Sequence, residues 1–348
     1  MIRADPDLLA DLVGDPDATA PARHPRRAWT QPAVANPLGQ PAFSSLAAAP
    51  VPAWARASGR AGQGDPLFAA GAGLALLDGF LRRDRPCAGA LRARLALQSA
   101  AASAKILRLN ADAAALRDLR FAVAGEPPPA AKLLRLWREL GVRPPALDAA
   151  RIAAAAGLLD LAAPDPNGLA ASLKAFAGQG DPISAAAEAA AFAFPDAPAA
   201  ETEVLALWLF DLVLAIRLGW RRPVPLIATR ILEPSIRPDG GRRPKPGEPA
   251  WPNTAARAIA LAATAALDLA ADLSRRADVL LAIAPTLRAK PAQRIVELLL
   301  AEDCVSPAQA ARHAPMTDRA ARRLFDRLVA LGATRELTGR PTFRLYGL

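Results

Sequence analysis

The chain has 348 residues, 52% of them hydrophobic and 22% charged. This excludes a disordered chain and leaves room for two domains with a real core. Its formal charge of +10 and pI of about 10.7 favour phosphate-bearing partners by general attraction, and aromatics at only 5% mean a core of small side chains and close helix packing.

Alanine, the best helix former, is abundant. Five lysines stand against 38 arginines, the signature of a GC-rich genome, so local clusters of arginine say more than the total. Cys87 and Cys304 lie far apart without a partner motif, which fits neither a disulfide framework nor a zinc site and suits a reduced cytoplasm. Met1 to Gly14 carries Asp5, Asp7 and Asp11 with no apolar run, unlike a signal peptide. The most hydrophobic stretch, Val204 to Leu218, holds Asp211 and Arg217 and is too short to span a bilayer. No membrane partner, metal or cofactor is expected.

Residues 1–64 contain eight prolines between Pro16 and Pro52 and read as an extended or disordered arm, with Trp29, Phe43, Leu46 and Trp54 as anchors. A helical bundle is expected over 65–285. Asp65-Pro66 is a cap followed by a first-turn proline, and that helix runs to about Arg83. Pro86 starts a second helix to Asn110, and Asp112 a third to about Ala124. Shorter helices follow over Ala130 to Leu140, Asp148 to Leu161, Asn167 to Ala177 and Pro182 to Phe194. Ala200 to Leu218 is apolar on every face and belongs at the centre of the bundle. A short helix over Pro223 to Leu232 and a Pro/Gly loop over 233–252 precede the longest helix, capped by Asn253 and ended by Pro285. No strand pattern precedes residue 330.

Residues 286–348 read as a winged helix-turn-helix. Ala292 to Ala301 is amphipathic. Ser306-Pro307 opens a short helix, and Thr317 caps a third to about Leu331. At 100° per residue, Ala321, Leu324, Phe325, Leu328 and Leu331 share one side, opposite Arg319, Arg322 and Arg323, with Arg327 at the flank. A recognition helix needs that layout, one face packed and the other free for the major groove. Beyond Gly332 the period switches to two: Ala333 to Leu337, a turn at Thr338 to Pro341, and Thr342 to Tyr346 form a hairpin. It places Arg340 at a wing tip and Arg335 and Arg344 in the strands. From Cys304 onward eight arginines face Asp318, Asp326 and Glu336.

A second basic segment surrounds Arg221, Arg222, Arg242, Arg243 and Lys245. A loop following a DNA backbone is weighed there against a solvated one, and the missing strand and helix favour the latter. Catalytic patterns are absent. His24 and His313 have no triad or zinc partners by spacing. Asp268 and Asp272 invite a paired-acid reading, but a salt bridge from Asp272 to Arg276 explains the spacing better. Asp211 reads as a core carboxylate paired with an arginine. The chain is not expected to be an enzyme.

Three blocks, DPLFAAGAGLALLDGFLR from Asp65, LWLFDLVLAIRLGWRRPVPL from Leu207 and RAARRLFDRLVALGATRELTGRPTFRLYGL from Arg319, resemble an uncharacterised alphaproteobacterial family, number 1403 among the domains of unknown function. The resemblance covers about residues 65–348. It implies genes of rhizobial-type replicons, hence replicon maintenance or mobile-element regulation, and implies no activity. The expectation is an all-α bundle with a C-terminal winged helix, acting in the cytoplasm as a duplex DNA-binding regulator. The bundle would serve a homodimer, an effector or a protein partner. The alternative is a subunit that docks its winged helix onto another protein, as in segregation complexes.

Overall fold

Acidic and hydroxyl side chains cap six of the described helices. A computed structural model describes residues 50–56, 64–83, 85–121, 125–161, 165–176, 180–193, 199–237, 241–287, 290–340 and 342–348. Among them are thirteen α-helices and one two-stranded sheet. Helix α1 spans Pro66–Arg82, and Asp65 accepts from the Leu67 amide. Helix α2 spans Ala88–Ile106. In α3, Ala113–Arg120, Asp112 accepts from Ala115. Helix α4, Pro129–Leu140, precedes α5, Ala149–Leu158, where Asp148 accepts from Arg151. Helix α6, Pro166–Phe176, leads to α7, Pro182–Phe192, where Asp181 accepts from Ile183 and Ser184. Each such cap stabilises its helix by about 1 kcal/mol.

Helix α8, Ala200–Arg217, is buried from Glu203 to Ala215, the central position its all-round apolarity predicts. Helix α9 is a single turn, Ile227–Arg230, shorter than the expected Pro223 to Leu232. Helix α10, Trp251–Ile283, has 33 residues and is roughly 50 Å long. It begins before Asn253, because Pro252 fixes a helical φ in the first turn. Helix α2 likewise starts at Ala88, past Pro86. With the turn that follows, α10 is long and apolar enough to cross a membrane, and most of its apolar window is buried inside the protein. Expectations for Trp29, Phe43 and Leu46 lie outside the described residues. Within 50–56, Val51 and Ala55 join the core around a 3-10 turn at Ala53–Ala55.

Small residues set the packing. A Cβ on Gly73 of α1 would lie 2.9 Å from the Ala263 Cβ of α10, so glycine lets this helix pair approach closely. The few indoles cross-link helices through their N–H groups. Trp137 donates to Ser103 Oγ at 2.9 Å, Trp208 to the Leu136 carbonyl at 3.3 Å and Trp251 to the Ala187 carbonyl at 3.0 Å. Arg151, buried, donates to the carbonyl of Leu140, the last residue of α4, and to that of Pro144 beyond it, where a cation suits the helix dipole.

Asp211 corrects the expected arginine pairing. Fully buried on α8, its carboxyl oxygens accept the amides of Leu226 at 2.8 Å and Ile227 at 3.1 Å, tying down the start of α9. Burial pushes its pKa up to about 8 against the downward pull of the two amides. A carboxyl that titrates at 3.8 in the unfolded chain and about 8 in the fold keeps its proton longer when folded, so its contribution to stability falls as pH rises through that window. Asp211→Asn should lose this slope. Urea midpoints of both proteins between pH 5 and pH 8 measure it, and an unaltered slope in the variant would assign the titration to another group.

Candidate nucleic-acid interface

The C-terminal segment begins with α11, Lys290–Ala301, whose Ile295, Val296 and Leu299 are buried. Helix α12 spans Pro307–His313, and Ser306 accepts from the Gln309 amide at 3.1 Å. Helix α13 spans Asp318–Ala330, with Thr317 accepting from Ala320 at 3.2 Å. Gly332 adopts φ +70° behind α13, while the Ala333 amide reaches back to the Leu328 carbonyl at 2.9 Å. This is a left-handed stop that glycine takes without strain.

Strands β1, Arg335–Glu336, and β2, Tyr346–Gly347, pair antiparallel, Arg335 opposite Gly347 and Glu336 opposite Tyr346. Val305, between α11 and α12, adds an antiparallel bridge to Tyr346, a strand contact the sequence pattern did not reveal. The strands are shorter than expected because the Glu336 carboxylate takes over the turn. It accepts the amides of Thr338 at 2.8 Å and Gly339 at 2.9 Å, and the Thr338 hydroxyl. Burial raises the Glu336 pKa, but these donors outweigh it and hold it below the usual range.

Helix α13 presents two faces. Ala321, Phe325 and Leu328 are fully buried, and the Phe325 ring stacks on Tyr346 at 4.4 Å with planes 6° apart. Leu331 departs from the expected stripe. It is 45% exposed, as the cap residue past the last turn, and Val329 beside it is 38% exposed. On the outward side Arg319, Arg322, Arg323 and Arg327 are all exposed, as is the Thr317 cap. Arg322 pairs with Asp318 one turn back at 2.8 Å. Arg319, Arg323 and Arg327 make no ion pair among the described residues.

The hairpin arginines are partly engaged. Arg344 stands 3.6 Å from Asp326, Arg335 stands 3.9 Å from Asp272 of α10, and Arg340 reaches Asp118 of α3 at 2.6 Å. Phe343 packs edge-on against Phe121, which follows α3, with centroids 6.1 Å apart. The turn therefore lies against the bundle.

Glu302 and Asp303, directly after α11, went unnoticed in the sequence, although adjacent acids at the end of an amphipathic helix in an arginine-rich chain are a usable signal. Asp303, 4% exposed, receives Arg94 of α2 and Arg117 of α3, the latter at 2.7 Å. Glu302 receives Arg120 of α3 at 3.0 Å and Arg138 of α4 at 2.8 Å. Arg120 also donates to the Cys304 carbonyl at 3.1 Å. Burial pushes the Asp303 pKa up, but the Arg117 hydrogen bond and the charges of Arg94 and Arg117 overcome it and hold it below its ordinary value.

The second basic segment is largely neutralised by its own surroundings. Arg242 grips Glu248 with two nitrogens at 2.8 and 3.1 Å. Arg243 pairs with the buried Glu203, and Lys245 lies 3.8 Å from the same carboxylate. Arg221 and Arg222 are exposed and unpaired among the described residues. Asp272 accepts from Arg276 at 2.9 Å, the pairing its spacing predicts, while Asp268 is exposed one turn away. Among the described residues no three of His, Cys, Asp and Glu gather as metal donors.

A family model described as "Protein of unknown function (DUF1403)" matches residues 42–348. The protein belongs to this family. No curated protein matches the chain.

The Asp303 cluster yields an expectation about stability. Asp303→Asn leaves two guanidinium groups facing a neutral amide and should cost about 3–5 kcal/mol, the usual penalty for breaking a buried pair. Because the folded pKa of Asp303 lies below its unfolded value, the wild-type advantage is complete above pH 5 and shrinks as pH falls through the carboxylate range. Chemical denaturation of both proteins at pH 7 and pH 3 measures it. A gap that fails to narrow in acid would remove the ionic account.

Proposed function

We propose that the protein is a duplex DNA-binding regulator, of transcription or of replicon maintenance, whose C-terminal segment acts as a winged helix-turn-helix. The observation that carries this is α13, with Arg319, Arg323 and Arg327 exposed and without ion pairs among the described residues, opposite the buried Ala321, Phe325 and Leu328. The order α11, Val305 bridge, α12, α13 and hairpin supports the winged reading. In this reading α13 enters the major groove, where arginines contact phosphates and the N7 and O6 of guanine. Arg344 flanks the helix beside Asp326, and in this reading it and Arg340 of the hairpin turn reach the duplex. The family match adds no activity to this argument.

Exposed Val329 and Leu331 at the end of α13 favour a second reading, in which the same surface docks a protein. The two readings diverge in salt. Binding to random duplex DNA should weaken steeply as salt rises. Changing Arg319, Arg323 and Arg327 together to Ala should flatten the slope of log K against log salt by about 0.9 for each phosphate left without its arginine. Alanine preserves helix propensity, so circular dichroism should not change. Fluorescence anisotropy with a labelled random duplex measures both slopes. Equal affinity of wild type and triple variant would refute the recognition helix, and loss of a protein partner on Val329→Ser with Leu331→Ser would favour docking.

A further inference from the structure

We infer that Asp118 acts as a built-in phosphate mimic that occupies Arg340 until DNA displaces it. This rests on the duplex-binding reading and assigns that site a restraint. Asp118 lies on α3 of the bundle, and Arg340 lies 222 residues further along the chain, in the turn of the hairpin. One guanidinium nitrogen meets one carboxylate oxygen at 2.6 Å, and the two side chains are 53% and 29% exposed. An oxygen anion held end-on by one guanidinium nitrogen is also what a DNA phosphate presents to an arginine.

The pair is not needed to hold the hairpin. Val305 bridges Tyr346, Phe325 stacks on Tyr346, and Phe121 packs on Phe343. Glu336 fixes the turn itself by accepting the Thr338 and Gly339 amides. A half-solvated ion pair adds little to such a framework. Its consequence is electrostatic. It occupies a cation that the duplex-binding reading assigns to phosphate. Helix α3 is suited to carry such a group, being eight residues long with Leu116 its one buried side chain. Arg340 can exchange Asp118 for a phosphate without refolding of the hairpin.

The test is a double-mutant cycle with the full chain and a labelled random duplex at low salt. Asp118→Asn should tighten binding about two- to fivefold, the range of one exposed ion pair, with a melting temperature lowered by no more than about 2 °C. Arg340→Ala should weaken binding. Asp118→Asn placed in the Arg340→Ala background should give no gain, because the cation it releases is absent. Equal gains in both backgrounds would reduce Asp118 to a general repulsive charge and overturn the mimic. Wild-type binding with unchanged Asp118→Asn affinity would overturn the mimic alone. Failure of both proteins to bind would overturn it together with the DNA reading.

Discussion

The attachment of the C-terminal segment rests on two adjacent acids. Glu302 and Asp303 collect arginines from α2, α3 and α4 at the point where the chain leaves α11. Taking Asp303 out of water is costly, and the cost is met because two guanidinium groups share its oxygens. Such a cluster tolerates little sliding. The register is reinforced by Gly89 of α2, where a Cβ would come within 2.7 Å of the Ala301 Cα. On the other side of Asp303, a Cβ on Gly347 would meet the Asp303 carbonyl at 2.5 Å. Helix packing, ion pairs and the end of the sheet thus converge on one short stretch.

Pairing sorts the arginines in a way that composition cannot. A chain biased towards arginine carries many cations that answer only to its own acids. Arg94, Arg117, Arg120 and Arg138 do so at the junction, and Arg242 and Arg243 do so in the proline-rich loop. The loop stood out in sequence as a basic segment, yet Glu203, distant in sequence and buried on α8, supplies its counter-charge. Arg319, Arg323 and Arg327 are different. Their neighbours on α13 include Asp318 and Asp326, and those acids are directed to Arg322 and Arg344. The positive charge left on α13 is therefore a property of the fold, whatever the codon usage of the gene.

What the sequence disclosed follows the range of each signal. Local signals were legible: Asp65 and Ser306 cap helices as their following prolines predict, Thr317 caps α13, and Asp112 and Asp148 cap helices expected to begin there. The apolarity of α8 placed it at the centre, and the two faces of α13 were legible apart from Leu331, which lies past the helix end. Signals that depend on distant partners were not legible. Asp211 shares its helix with Arg217, six residues on, but bonds two amides fifteen and sixteen residues away. The Val305 bridge is a single residue with no alternation to show it. Glu302 and Asp303 gain their meaning only from arginines at least 164 positions distant.

Helix α3 joins the two halves of this arrangement. It sends Arg117 and Arg120 into the buried cluster, and through Asp118 and the adjoining Phe121 it touches the hairpin. These attachments differ in stiffness. The cluster is nearly dry at Asp303, so opening it strands charges in low dielectric. The Asp118–Arg340 pair is half in water, where exchanging one anion for another costs little. Parting α3 from the hairpin at this pair is therefore cheaper than opening the cluster, while Phe325 stacked on Tyr346 holds α13 to the hairpin. Helix α3 is thus bound to the junction through contacts that are costly to break, and to the hairpin turn through one ion pair that is not.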